Sequence, residues 1–455
     1  MRRVRPKTGR AFFVVGDAGI LAGGWERSFS TLMSVEEETV TANQPTRFPH
    51  TRAEALHAWE EFRPRVAQYA DTRNGVRPGH RAVSRLSPAI RRRLVTEYEL
   101  VASTLEGQPF WRVEKFVQEM MWRRYWKSWL ELRPAVWSDY QSDVARLRDG
   151  LRGYQAKRLK EVEEGRSGVE IMDYFADELR DTGYLHNHAR MWFAGWWIHT
   201  EKLPWQLGAD FFYRHLLDGD PAANTLSWRW VAGLQTKGKT YLTRRSNLEK
   251  YVEPDLLAAH AGGLDVFEDK SARPAPVEDD ADSYHAEPPA DAEDTALPAD
   301  LPAATGLWVH ADDLCTENAT CLRGFRPQSV FAGLDTGILK AEAVSEARRG
   351  HLQECVRDGL ARAGENFGAL THYEDAPLPG ALAEWARREG LRAVVALRPA
   401  VGPLLDLMPT VRARLEKEGV SLHLVWRPED VRTLPFAKAG YFAYWQGVKE
   451  EFRRN

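Results

Sequence analysis

Cysteine is scarce: 455 residues carry only Cys315, Cys321 and Cys355. No two of them form a C-x-x-C pair, which excludes a disulfide framework, a zinc ribbon and an iron–sulfur cluster and leads us to expect a reducing, cytoplasmic location. Long apolar runs are missing as well. No stretch approaches the ~20 residues of a membrane span, so no membrane association is expected. Neither sign of charge is in excess, with 62 Lys+Arg against 65 Asp+Glu for a formal net charge of −3. The C-terminal third has no phosphate-loop motif.

What is abundant is tryptophan, with 17 residues, and there is enough length for two domains, perhaps three, with a sizeable core. The first 32 residues are Arg-rich, and their apolar patch, Ala11 to Val15, is too short for a signal peptide. Met33 is therefore the expected natural start, within an N-terminal extension over 1–50. Residues 51–255 carry apolar positions at helical spacing and predict a mainly α-helical bundle. Residues 256–305 are rich in Pro, Ala, Asp and Glu. Between 268 and 304 there are 11 acidic and 2 basic residues, which predicts a flexible acidic linker. Residues 306–455 alternate buried-strand patterns, at 307–310, 393–397 and 420–425, with helices such as 381–389. That alternation predicts a C-terminal α/β domain with a parallel sheet.

The chemistry concentrates between 183 and 230: Gly183-Tyr184-Leu185-His186-Asn187-His188-Ala189-Arg190-Met191, then Trp205, then Asp218-Gly219-Asp220-Pro221-Ala222-Ala223-Asn224, then Trp228-Arg229-Trp230. An Arg, two Asp and two Asn lie among Trp, Phe and Met that must bury their surface. Buried charges need a partner or a ligand, and pairing Arg190 with Asp218 would create a dry, neutral site for a polar aromatic ligand. Taken alone, the same mixture reads first as a structural salt bridge in a helical core. The order and spacing of the set resemble the FAD-binding domain of the photolyase/cryptochrome family.

That resemblance, covering about residues 51–255, implies FAD as cofactor. By position it implies cofactor contacts from Tyr69, from Ser84, Arg85, Leu86 and Ser87 of a phosphate-binding loop, and from Arg190, Asp218, Gly219, Asp220 and Asn224, with Asn224 facing the flavin N5. Val83 departs from the family's Thr. Trp228 and Trp205 match the first two members of an electron-transfer chain. The third position falls near Arg152, leaving Tyr154 or Trp137 as substitutes. Glu119 and Trp122, three residues apart on one helix face, match the pair that contacts a flipped-out pyrimidine dimer. Arg123, Trp126, Asn187, His188 and Met191 complete the implied DNA and substrate contacts.

The C-terminal α/β domain resembles the one that usually precedes the FAD domain, as if permuted; whether it holds a second, antenna chromophore stays open. No metal site is expected, since the His186 and His188 pair has no Cys or third ligand nearby in sequence. The implied activity is that of a deoxyribodipyrimidine photo-lyase, a carbon–carbon lyase acting as a monomer on damaged DNA by light-driven electron transfer that splits cyclobutane pyrimidine dimers. Two alternatives stay open. One is a cryptochrome-like blue-light photoreceptor; the other is (6-4) photoproduct repair, with His186 or His188 as proton donor.

Overall fold

Local signals start and stop the helices that carry the candidate residues. Thr51 and Thr96 each accept from the backbone N–H of Glu54 and Glu99, whose carboxylates reach back to close capping boxes ahead of the helices Arg52–Phe62 and Glu97–Gly107. Gly183 ends the helix Glu170–Thr182 in the left-handed conformation, φ 68°, and its carbonyl then accepts from Leu217 N at 2.9 Å. Asp220 caps the helix Pro221–Ala232 by accepting from Ala222 N and Ala223 N, both at 2.9 Å, with Pro221 in the first turn. These caps bring the 183–190 and 218–224 segments side by side.

The computed structural model describes residues 47–235, 240–268 and 284–453. The stretch containing Met33, residues 236–239 and the middle of the acidic segment (269–283) lie outside the described residues. The first half is helical. Its long central helix, Phe110–Glu131, packs against the helices Glu97–Gly107 and Pro221–Ala232 and against the C-terminal helix Tyr441–Arg453. The second half holds five parallel strands: β1 (Thr305–Val309), β2 (Ser329–Ala332), β3 (Leu370–Tyr373), β4 (Ala393–Leu397) and β5 (Ser421–Val425). They run in the order β3-β2-β1-β4-β5, with Leu307 of β1 opposite both Val330 and Val395.

Strand alternation gives the sheet two cores. Leu307, Val309, Val330, Ala332, Val395 and Leu397 join one core that is continuous with the helical half. Trp308, Phe331, Val394 and Ala396 join a second, beneath the helices Leu378–Arg388 and Pro403–Glu416. The two halves are also stitched by charge. Arg91 bonds Asp312 at 2.9 Å, and Arg93 bonds Asp313 at 2.7 Å and Asp430 at 2.6 Å. Asp313 also takes a bidentate contact from Arg427, at 2.6 and 2.8 Å.

The acidic segment does not run free of the body over its described second half. Tyr284, Ala286, Ala292, Leu297 and Leu301 are half-buried against the core, Asp291 accepts from Arg398 at 2.8 Å, and Asp294 O accepts from Trp426 N at 2.7 Å. A few apolar residues and the buried arginines Arg133, which donates to Tyr284 O at 3.2 Å, and Arg398 dock it, against the expectation of a flexible linker.

Candidate active site

A cavity of about 390 Å³ opens among the helices of the first half, a size within the range of small-molecule sites. Its lining draws on five stretches: Tyr69 with Arg73 and Asn74; residues 83–87; Glu119, Met120, Trp122, Arg123 and Trp126; residues between Tyr184 and Met191; and residues between Asp218 and Val231. Of the residues singled out from sequence, Tyr69, Ser84, Arg85, Leu86, Ser87, Glu119, Trp122, Arg123, Trp126, Asn187, His188, Arg190, Met191, Asp218, Asp220, Asn224 and Trp228 all line it. Gly219 and Trp205 do not. The carbonyl of Gly219 turns to the arginines behind the cavity, accepting from Arg91 at 3.2 Å and Arg348 at 3.3 Å. Trp205 stacks on Tyr140 at 5.7 Å, with the Arg229 guanidinium 5.9 Å from its ring centre.

At the floor, Arg190 grips Asp218 with two parallel bonds of 3.1 and 3.0 Å and donates a third to Leu185 O at 2.9 Å. Burial would raise the Asp218 pKa, but Arg190 and Arg123 overcome it and hold the carboxylate below its usual range. Asp220 is held far lower by Lys127, Arg91 and Arg123, although it too is buried. Both carboxylates are therefore charged at neutral pH and both are neutralised locally. Asn224 is 9% exposed and donates through Nδ2 to Ala209 O at 2.7 Å, which leaves its carbonyl oxygen free to accept in the cavity.

Trp122 and Glu119 stand on the wall made by the helix Phe110–Glu131. Glu119 pairs with Arg73 at 3.0 Å and Lys115 at 2.9 Å, so its carboxylate is anchored. The Tyr441 ring lies on Trp122 with centroids 3.6 Å apart and planes 10° apart. Asn187 is exposed, with Nδ2 3.9 Å from Met191 Sδ.

His186 is not a charged proton donor. Burial, then His80 and His188, push its pKa down to about 3, and its Nδ1 accepts from His188 N at 3.1 Å to cap the helix Asn187–His199. His188 is also lowered, mainly by burial. For both rings the surroundings thus favour the neutral form. Among the described residues, no three His, Cys, Asp or Glu gather as a metal site, and no helix is long and apolar enough to cross a membrane.

Sequence reasoning gave no role to Arg73 or to Tyr184, whose ring lies 5.5 Å beneath the Arg190 guanidinium. Tyr184 sits inside the quoted motif, so proximity to Arg190 was a usable signal; Arg73 meets Glu119 from far along the chain and left none. Trp137 is buried, 5.5 Å from Tyr140, and donates to Asp406 at 2.9 Å, whereas Tyr154 is 79% exposed.

The FAD-binding domain of DNA photolyase matches residues 116–254. A deoxyribodipyrimidine photo-lyase from Streptomyces griseus is 36% identical over 156 residues, 34% of this chain and 33% of that protein. The chloroplastic/mitochondrial cryptochrome DASH of Ostreococcus tauri is 30% identical over 189 residues, 39% of this chain and 32% of that protein. The chain thus spans about a third of the length of these relatives. The solved structure of a Synechocystis sp. PCC6803 cryptochrome aligns over 49% of this chain and 47% of its own, at 18% identity and a TM-score of 0.40.

Proposed function

We propose, from the match of residues 116–254 to the photolyase FAD-binding domain, that this chain is a photolyase/cryptochrome-family protein and a deoxyribodipyrimidine photo-lyase that uses FAD and light to split cyclobutane pyrimidine dimers in DNA. The observation that carries the reading is one cavity that joins a neutralised acid floor, Arg190 with Asp218, to a wall bearing Trp122 and Glu119. The residues fit FAD by the chemistry of their donors. Arg190, Asp218 and Asp220 offer charged partners to the isoalloxazine and ribitol. Ser84, Arg85 and Ser87 offer hydroxyls and a guanidinium to the phosphates, and Asn224 offers a carbonyl oxygen to the N5 proton. FAD held there, reduced and excited by blue or near-UV light, would supply the electron that opens the cyclobutane ring and would take it back afterwards, so the splitting is redox-neutral.

The chain's own residues do the rest. Trp122 and Trp126 present aromatic surface to a dimer turned out of the duplex, and Glu119, held by Arg73 and Lys115, accepts from a base edge. Asn187, Met191 and His188 border the same space. The α/β half follows the helical half in sequence, which fits a permuted order of the family's two domains.

Anaerobic illumination of the photoreduced protein with a thymine-dimer oligonucleotide tests the reading. Light-dependent recovery of absorbance at about 260 nm, where intact pyrimidines absorb, is expected; no recovery with flavin bound and reducible would point to a photoreceptor. One feature favours that second reading. Trp205 does not line the cavity, and Arg152 rather than a Trp holds the position that would carry an electron path onward.

A further inference from the structure

A second cavity, of about 80 Å³, opens where the helical half meets the sheet. It lies outside the carboxyl ends of β1, β2 and β4, lined by residues 310–312, 333–335 and 403–404, where the strand order β3-β2-β1-β4-β5 reverses direction. Open parallel sheets place ligands at that point. The volume is several times what one water needs but far below that of cofactor-sized sites, so it leaves no room for an aromatic chromophore. Leu339, Leu352, Leu378 and Leu404 make its sides apolar, and Arg91, Arg92 and Arg348, each 3% exposed, line it as well.

These arginines carry more charge than their neighbours balance. Arg91 bonds Asp312 at 2.9 Å and Asp220 at 3.1 Å, but Asp220 also serves Lys127 at 3.4 Å and Arg123 at 3.8 Å. Arg348 donates to the carbonyls of Tyr213 and Gly219. Arg92 reaches Ala311 O at 3.3 Å and, more loosely, Asp312 at 3.6 Å. The other two carboxyls of the lining are engaged elsewhere. Asp335 accepts from Ile338 N and Leu378 N, both at 2.7 Å, while Glu342 accepts from Gln141 at 3.3 Å and is pushed up to about 7, mainly by burial. His310 has one ring nitrogen against Leu397 O and the other against Asp312 N. Arg92 Nε and Nη2, and Arg348 Nε, are buried with no hydrogen-bond partner among the described residues. Burial, then Arg91 and Arg348, push the Arg92 guanidinium down to about 9, so it is still charged at neutral pH. A buried charge with idle donors calls for a counter-ion.

We propose that this cavity binds a small oxyanion, a phosphate or a short-chain carboxylate, with Arg92 as its anchor. Nε and Nη2 share one edge of the guanidinium, the fork that pairs with two oxygens of one anion. The leucine sides receive a short apolar body. The site is independent of any reaction in the larger cavity.

Isothermal titration calorimetry of the full-length, flavin-loaded protein, in chloride buffer at constant ionic strength, tests the site with inorganic phosphate and with butyrate. Wild type should saturate with at least one probe; tighter butyrate identifies a carboxylate with an apolar body, tighter phosphate the tetrahedral anion. Arg92→Met should weaken that binding at least about ten-fold. Because it replaces an unbalanced buried charge by an apolar chain, it should melt at or above the wild-type temperature without probe. Arg92→Lys keeps the charge and loses the fork, should also bind at least about ten-fold more weakly, and decides the matter should Arg92→Met fail to fold. Flavin content should stay at the wild-type value in both. No saturable heat with either probe in wild type overturns the site, as does unchanged binding in the Arg92 variants.

Discussion

Asp218 reaches Arg190 with both oxygens from a position 4% exposed to solvent. Asp218→Asn keeps the shape and removes the charge, which leaves the guanidinium opposite without its counter-ion. Because Arg190 is about a quarter exposed, the expected loss is about 2 kcal/mol, below that of a fully buried pair. Flavin should be absent after purification; a normal flavin-to-protein ratio would remove this assignment. Histidines set the pH dependence. His186 and His351 are pushed down to about 3 and His215 to about 4, each mainly by burial. The unfolded chain therefore binds more protons between the ordinary His range and pH 3 to 4, so stability falls as pH drops through that window. Each group contributes up to about 1.4 kcal/mol per pH unit. Urea midpoints at pH 7.5, 6 and 5 should decline, with a shallower decline in His186→Asn; a flat profile would contradict the burial of these rings. Arg190 and Asp218 were legible in the sequence because few opposite charges share a stretch of Trp and Phe. Arg73 was not, because its meaning depends on Glu119, which the fold alone brings to it.

Two helices written far apart make one wall. Tyr441→Ala should remove the ring that backs Trp122 and destabilise the protein by about 3 kcal/mol. Tyr441→Phe, which keeps the stack and loses only the bond to Gln118 O, should cost about 1 kcal/mol. Thermal unfolding of the pair separates packing from hydrogen bonding, and equal losses would mean the stack contributes nothing. The helices of the first half were legible because their caps and apolar spacing are local. In the sheet, β1, β4 and β5 announce themselves as runs such as Ala393–Leu397. The four-residue β2 and β3 do not, and Leu370–Tyr373 at the sheet edge is largely exposed. No local pattern announces that Tyr441 meets Trp122.

At the scale of the molecule, the two halves share a core and a set of buried ion pairs centred on Arg91 to Arg93. Asp313 neutralises both Arg93 and Arg427, and together they hold its carboxylate far below the ordinary range despite burial. Asp313→Asn leaves those two guanidiniums short of charge and should cost about 3–5 kcal/mol. The loss should be almost independent of salt, since such pairs are poorly screened. A helical fragment ending before the sheet should fail to fold, and a cooperative melt of that fragment by circular dichroism would contradict the shared core. The acidic composition of 268–304 predicts a flexible linker, yet its sparse apolar residues from Tyr284 onward pack against the core.

The Tyr441 hydroxyl bonds the carbonyl of a residue 323 positions earlier. At about 5–20 residues per second, a ribosome needs roughly 16 to 65 s to travel that distance. Throughout that interval Trp122 has been made and its backing has not, so a nascent chain carries an unfinished wall. A pulse-labelled, stalled chain ending short of residue 441 is expected to emerge without flavin, and flavin bound to such a chain would show that the wall works without its backing.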